Sequence, residues 1–233
     1  MTNCRIEPRR ANLTLYIPFG ILAFMTAPSN GAREELLDRA LDLFAAYGYD
    51  GVGVQQICAA AGVTKPTLYH HFGSKRGLLE ALMEARLEAL SVALAADIPC
   101  DDLEAALAAS AEATFAFAAA ERTFYRLYLT LWFAPIRSEA YEVAQVFHAR
   151  HFERVERFFL EAGRSDATLH HRERSLAAAF LGALNNHIGL ALNNYAALNG
   201  KLARDVVQAF LYGALSRGAD RRGRRPASLP IST

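Results

Sequence analysis

Two short segments with helical periodicity meet at Gly62, and their spacing predicts a helix-turn-helix. Cys58 supplies a small residue where the two helices would approach, Gly62 follows four positions later as the turn, and Leu68 comes six positions after that as an apolar anchor. Thr64 lies where it can cap the second helix of the pair, and Pro66 falls in its first turn, where backbone amides lack helical partners anyway. This arrangement is typical of proteins that insert the second helix into the major groove of DNA.

The rest of the chain from about residue 33 also predicts helices, so the expected fold class is all-α. Alanine and leucine are abundant, and alternating runs of β-branched residues are nearly absent. We expect about nine helices, of which the first three form the helix-turn-helix unit. The later ones are predicted at about 75–96, 101–118, 121–133, 137–162, 170–198 and 201–217.

The predicted helices divide into a small N-terminal head and a larger body. Residues 31–80 would form the helix-turn-helix domain and residues 81–217 a ligand-binding and dimerisation domain. The boundary is placed inside the fourth helix, because no Gly/Ser-rich segment separates the two parts. Residues 1–30 are expected to be disordered or a non-native extension, with Met25 as the native start and a functional tail as the alternative. Residues 218–233 are rich in Arg, Gly, Pro and Ser, which predicts a disordered tail.

Local charge favours a DNA-binding face although the formal net charge is only +1. Residues 51–79 contain no acidic side chain, and they carry Lys65, Lys75 and Arg76. A duplex responds to the charge of the face it meets rather than to the charge of the whole protein. Lys75 and Arg76 also follow Ser74 at a predicted helix start, where free amides and the helix dipole attract anions. We therefore expect a phosphate site there.

The run from residue 57 to residue 79, ICAAAGVTKPTLYHHFGSKRGLL, resembles the signature of the TetR/AcrR family of bacterial regulators. The similarity is strong over about residues 33–80; the family's Leu-Tyr-x-His-Phe element is present at 68–72, and its lysine after the turn is Lys75. This resemblance implies a cytoplasmic homodimer that binds near-palindromic operator DNA. It further implies repression that is released by a small apolar or aromatic ligand, with an activator or a factor controlled by a protein partner as alternatives.

The outward face of the predicted third helix and the resemblance together assign candidate DNA contacts. By resemblance, Lys65 and Thr67 would face bases or phosphates, and Pro66 would contact a thymine methyl group. Tyr69 and His71 would contact the backbone. Many relatives begin the second helix with a hydroxyl residue that binds phosphate, whereas this chain has a valine there. The candidate DNA-binding residues are Gln55, Thr64, Lys65, Pro66, Thr67, Tyr69, His70, His71 and Lys75.

Two features of the body predict a ligand cavity and a dimer interface. Aromatic residues are concentrated in the middle of the body, and we expect a cavity lined by Tyr128, Trp132, Phe147 and His151. Relatives pair their last two helices with the same helices of a second subunit. By this analogy the expected interface residues are Phe180, Leu184, Ile188, Phe210 and Leu211. The alternative is that these apolar stripes belong to the internal core.

No catalytic residue, cofactor or metal is expected from the sequence. It contains no nucleophile elbow and no clustered metal ligands, which disfavours an enzyme. His148 and His151 lie three positions apart, but no cysteine or carboxylate cluster accompanies them. The three cysteines are widely spaced and predict no disulfide framework. No uninterrupted apolar run reaches the roughly 18 residues that span a bilayer, so we expect no membrane association.

Overall fold

The computed structural model describes residues 30–94, 102–164 and 167–213, and over these ranges it contains nine α-helices and no strand. The expectation of an all-α fold with about nine helices is therefore confirmed. The expectations for residues 1–29 and 214–233 lie outside the described residues. The helices are α1 (Asn30–Tyr47), α2 (Val54–Ala61), α3 (Lys65–Phe72), α4 (Lys75–Leu94), α5 (Leu103–Ala120), α6 (Arg122–Trp132), α7 (Glu139–Gly163), α8 (Glu173–Leu192) and α9 (Gly200–Tyr212).

The first three helices form the predicted helix-turn-helix, and Gly62 makes the turn. Gly62 adopts a left-handed φ of 63°, a conformation that costs glycine little and strains other residues. The amide of Val63 then donates to the carbonyl of Cys58 at 3.0 Å, which closes the end of α2. Ile57, Cys58 and Leu68 are buried, so α2 and α3 are fixed to the head by their apolar sides.

The helix starts at Ser74 and Pro66 follow the sequence-based expectation, whereas the one at Thr64 departs from it. Ser74 accepts a hydrogen bond from the amide of Gly77 at 2.9 Å, as its position before α4 predicts. The Thr64 hydroxyl instead lies 2.9 Å from the hydroxyl of Thr67 and caps no backbone amide. Pro66 lies in the first turn of α3, as expected. The cap of α5 is Asp102, whose carboxylate accepts from the amide of Ala105 at 3.1 Å.

The last two helices are shorter than the sequence predicts. Helix α8 ends at Leu192 rather than near residue 198, because Asn194 takes a left-handed φ of 62°. The guanidinium groups of Arg122 and Arg126 donate to the carbonyl of Leu192, which satisfies an acceptor left free at the helix end. Helix α9 ends at Tyr212 rather than near residue 217.

The body is a bundle in which α5 packs along α9 and α7 packs along α8. Its largest fully buried side chains are aromatic and come from several helices: Phe115, Phe124, Tyr125, Phe159 and Phe180. The hydroxyl of Tyr125 donates to Asn185 Oδ1 at 3.0 Å, so the buried phenol keeps a polar partner. Helices α4 and α7 also pack together, which links the head to the body.

Three of the expected interface residues lie inside the chain's own core. Phe180, Leu184 and Ile188 are at most 2% exposed, so they have no surface left for a second subunit. Phe210 and Leu211 are half-buried, and the Phe210 ring lies 5.5 Å from that of Phe180. In the single chain the apolar side of α8 therefore faces the other body helices, which favours the alternative that this stripe belongs to the internal core.

Two helices, α5 and α8, are long and apolar enough to cross a membrane by length and composition alone. This criterion uses the mean hydropathy of an 18-residue window, whereas the sequence-based expectation concerned an uninterrupted apolar run, which neither helix contains. Core helices of soluble proteins pass the same test, and both helices pack along neighbours in the body. About 33% of each candidate window is buried, so both helices leave apolar surface uncovered in the single chain.

Candidate functional site

Helix α3 lies at the surface of the head with its polar side outward. Lys65 and Tyr69 are exposed one helical turn apart, and Pro66 and His70 are exposed beside them. Leu68 on the opposite side is fully buried and holds the helix to the head. The 47% exposure of Tyr69 is high for an aromatic residue and leaves its ring accessible to a partner. This exposed side has the donors and the shape needed to enter a major groove.

The start of α3 brings further predicted residues close to this face. Thr64 is exposed and Thr67 is half-buried, and their hydroxyls are hydrogen-bonded to each other. A threonine pair of this kind still offers acceptor and donor capacity to a phosphate. Gln55 is exposed in the first turn of α2, whereas its neighbour Val54 is half-buried. Gln55 is therefore an accessible polar side chain at the start of that helix, and Gln56 beside it is exposed as well.

His71 is less accessible than its prediction as a backbone contact requires. Its ring is half-buried between those of His70 and Phe72, at centroid distances of 5.4 and 5.9 Å. Among the described residues its Nε2 finds no hydrogen-bond partner, and this atom is buried. A DNA contact from His71 would therefore use Nδ1 or require the ring to turn.

Lys75 already has partners within the head. Its ammonium donates to the carbonyls of Tyr49 and Val52, both at 3.1 Å, and lies 4.0 Å from the centroid of the Tyr49 ring. These bonds tie the loop between α1 and α2 to the start of α4. A lysine ammonium has three donors, so one remains for a phosphate. The phosphate contact of Lys75 stays a prediction. The sequence did not indicate the second role of Lys75, which is to hold the loop between α1 and α2.

Arg76, the second cation of the predicted phosphate site, points toward the body instead. It donates to Glu80 at 3.0 Å and to Glu142 of α7 at 2.7 Å. The hydrogen bonds to Glu142 and Glu80 raise the pKa of Arg76 above its ordinary value. The expectation that Lys75 and Arg76 both present free cations at the start of α4 is therefore corrected.

A second polar contact joins the head to α7 and was missed by sequence reasoning. The hydroxyl of Tyr49 donates to Glu139 Oε2 at 2.5 Å, across 90 positions of sequence. Burial, together with this hydrogen bond, raises the pKa of Tyr49 well above its ordinary range. Glu139 and Glu142 lie in the first turn of α7, where carboxylates favour the helix dipole. This preference explains why carboxylates occur at the start of α7. It does not indicate that Glu139 and Glu142 bind Tyr49 and Arg76 of the head.

The structure gathers part of the predicted ligand lining into an aromatic cluster. The ring of His148 lies 4.4 Å from that of Tyr128 and 4.5 Å from that of Trp132. His151 is at 6.3 Å from Tyr128. Phe147 is buried, with the Arg150 guanidinium 5.3 Å from its ring, and His148, which was not among the predicted lining residues, belongs to the cluster. We call Tyr128, Trp132, His148 and His151 the aromatic cluster.

The cleft that the structure describes does not lie at this cluster. A cleft of about 390 Å³ separates α1 from the corner between α5 and α6. Its lining is polar and includes none of the predicted ligand residues: Asp38, Arg39, Leu41, Asp42, Ala120, Glu121, Arg122 and Thr123. The described residues also contain no group of three or more His, Cys, Asp or Glu side chains that could hold a metal ion.

The two histidines of the aromatic cluster should make folding stability depend on acidity. Burial lowers the pKa of both His148 and His151 to about 4. An unfolded histidine titrates near 6.5, so the folded state resists protonation and the free energy of unfolding falls as the pH drops from about 6.5 toward 4. We expect His151→Gln to show a shallower fall in denaturant titrations over this range. Tyr128→Phe, which removes no titrating group there, should keep the original slope; equal slopes for both variants would contradict the assignment.

Comparison with known proteins adds to this geometry. The sequence model of the family described as "Bacterial regulatory proteins, tetR family" matches residues 36–82. The repressor KstR2 of Rhodococcus jostii is 40% identical over 65 residues, which are 28% of this chain and 32% of KstR2. The match therefore spans about a third of the length of that relative.

Two further comparisons extend over most of the chain. The transcriptional activator FasR of Mycolicibacterium smegmatis is 28% identical over 191 residues, which cover 81% of this chain and 85% of FasR. The crystal structure of the regulator FadR of Bacillus subtilis in complex with stearoyl-CoA superposes with a TM-score of 0.63 at 17% identity. That match covers 77% of this chain and 98% of FadR, and it demonstrates a shared fold.

Proposed function

The chain belongs to the TetR family of bacterial regulatory proteins, and from this premise we propose that it regulates transcription by placing α3 in operator DNA. The supporting observation is the exposed side of α3, with Lys65 and Tyr69 outward and Leu68 buried behind them. We assign residues 31–80 to the DNA-binding head and residues 81–217 to a ligand-binding, dimer-forming body. It is a regulator and not an enzyme. Since operator DNA is in the cytoplasm, we place the protein there.

The proposed assembly is a homodimer on a near-palindromic operator. Two heads related by a two-fold axis would occupy successive major grooves about 34–36 Å apart. The α8 face left uncovered by the chain's own body consists mainly of small residues: Ala178, Ala179, Gly182, Asn186 and Leu190. Small side chains permit close approach of two helices, and this face carries the apolar surface that α8 leaves uncovered. We therefore assign the interface to this face, together with Phe210 and Leu211 of α9, in place of the buried stripe.

Substitution at the centre of that face should separate the subunits. A Cβ added at Gly182 meets no atom within 4 Å in the single chain, so Gly182→Arg fits the monomer and improves helix propensity. Between two subunits the same side chain would put two buried charges on the interface. We expect Gly182→Arg to halve the molar mass of the protein measured by light scattering. Its helix content, measured by circular dichroism, should equal that of the unaltered protein. Gly182→Ala is the matched control and should remain dimeric; a dimeric Gly182→Arg would move the interface elsewhere.

The proposed effector is a small apolar molecule of the acyl type. The support is a body of apolar helices and the fold shared with a regulator that was solved with stearoyl-CoA. The predicted lining residues are Tyr128, Trp132, Phe147 and His151; Tyr128 and Phe147 are buried here and Trp132 is half exposed, so we propose that their side chains rearrange around it. We propose that the protein represses transcription and that this ligand relieves the repression. Activation is the second candidate, because FasR, a relative whose match covers 81% of this chain, is an activator.

Selection of bound duplexes from random DNA tests the function. We expect an enriched near-palindromic sequence, and we expect stearoyl-CoA, but not coenzyme A alone, to release the protein from it. The ligand can shift binding only by its differential affinity for the two states. Enrichment without any effect of stearoyl-CoA would favour control by a protein partner. Failure to enrich any sequence would reject the proposed function.

A further inference from the structure

Beyond α4, which runs from head to body, the head contacts the first turn of α7 through two polar bonds. Tyr49, in the loop after α1, donates its hydroxyl to Glu139 at 2.5 Å. Arg76, at the start of α4, donates to Glu142 at 2.7 Å. Glu139 and Glu142 are three positions apart and therefore lie on the same side of α7. We call these two pairs the α7 clamp.

The clamp reaches the proposed DNA-binding surface through Tyr49. The Tyr49 side chain is buried in the head, with its ring 5.1 Å from that of Phe44. The same ring lies under the Lys75 ammonium, which is bonded to the Tyr49 carbonyl. The clamp is thus bonded to the loop and the lysine that fix the start of α4, so it can set the angle of the whole head against the body.

We propose that Glu139 and Glu142 are positioning residues that hold the head at one angle and thereby set the operator spacing that the dimer accepts. This inference rests on the proposed binding of a two-site operator by a dimer. A head held at a fixed angle has little orientational freedom to lose when both heads bind one duplex. A loosened head loses affinity for correctly spaced half-sites, and it also tolerates wrong spacings better.

One other ionic bridge between the same regions remains when the clamp is broken. Arg86 of α4 pairs with Asp38 of α1 at 2.8 Å and with Glu121, at the corner between α5 and α6, at 3.3 Å. The partners of this bridge are not shared with the clamp, and α1 of the head also packs against α6 of the body. These contacts still restrain the head when the clamp is broken. We therefore expect loss of the clamp to weaken operator binding without abolishing it.

The test uses the full-length protein and three duplexes. They are the selected operator, the same operator with two base pairs inserted between its half-sites, and a single half-site. The clamp variant is Tyr49→Phe combined with Glu142→Gln, which keeps the Tyr49 ring over Lys75 and removes only polar contacts. The matched control is Glu84→Gln, which breaks another α4–α7 ion pair, the 3.0 Å contact of Glu84 with Arg150.

We expect the clamp variant to lose about tenfold in affinity for the operator and to keep its affinity for the half-site. The ratio of affinities for native and lengthened spacing should fall with it, whereas Glu84→Gln should keep both values. A merely structural role would change half-site binding and leave this ratio unaltered. If the double variant does not fold, the ratio of affinities for native and lengthened spacing is measured on Glu142→Gln alone, which changes an exposed carboxylate.

Two results would overturn the inference, and they can be told apart. An unchanged spacing ratio in the clamp variants, with specific operator binding by the unaltered protein, rejects the positioning role and leaves the proposed function in place. Absence of sequence-specific binding by the unaltered protein rejects the proposed function, and the positioning role falls with it.

Discussion

The double variant Lys65→Ala/Tyr69→Ala is expected to lose about 100-fold or more in operator affinity, since a good contact with a base or phosphate contributes about 1–3 kcal/mol. Both side chains are exposed one turn apart on the outward side of α3, so neither supports the core of the head. Their removal should leave the fold and the dimer unchanged. Gel-shift titration on the selected operator measures the loss, and light scattering checks the dimer.

A control with the same residue types separates this effect from a general loss of charge. Tyr195 and Lys201 are exposed near the start of α9, far from α3 in the sequence. Tyr195→Ala/Lys201→Ala removes an equal number of atoms and the same charge. We expect the control to bind the operator as the unaltered protein does. Full operator binding by Lys65→Ala/Tyr69→Ala would mean that the recognition surface is not the outward side of α3.

Phe180→Ala is expected to reduce the free energy of unfolding by about 3–5 kcal/mol, the usual cost of truncating a buried phenylalanine. The Phe180 side chain is 2% exposed. Its ring packs against those of Phe159 and Phe210 at 6.2 and 5.5 Å, so truncation leaves a cavity between α7, α8 and α9. Chemical denaturation at one fixed protein concentration measures the change, because the stability of a dimer depends on concentration.

Leu190→Ala is the comparison on the other side of the same helix. Leu190 is 39% exposed in the single chain, so its truncation costs the fold of the monomer less than that of Phe180. We expect Leu190→Ala to weaken dimerisation and Phe180→Ala to weaken folding. If Phe180→Ala instead dissociated into folded monomers of unchanged stability, Phe180 would belong to the interface that the sequence first suggested.

The DNA-binding head was largely predictable because its determinants are local. The spacing of Cys58, Gly62 and Leu68 sets the turn and the buried side of α3 within a dozen positions of sequence. Once Leu68 points inward, the 3.6-residue helical period places Lys65 and Tyr69 outward together. The helix count of the body followed equally from composition and periodicity.

Only the tertiary structure decided which partner each surface meets. The stripe of Phe180, Leu184 and Ile188 has the same period whether it faces another helix of the chain or a second subunit, so periodicity could not separate core from interface. Tyr49 and Glu139 are 90 positions apart, and the sequence around either residue gives no indication that the other is its hydrogen-bond partner. A helix period fixes which residues share a side, whereas the partner of that side depends on packing between segments that are distant in sequence.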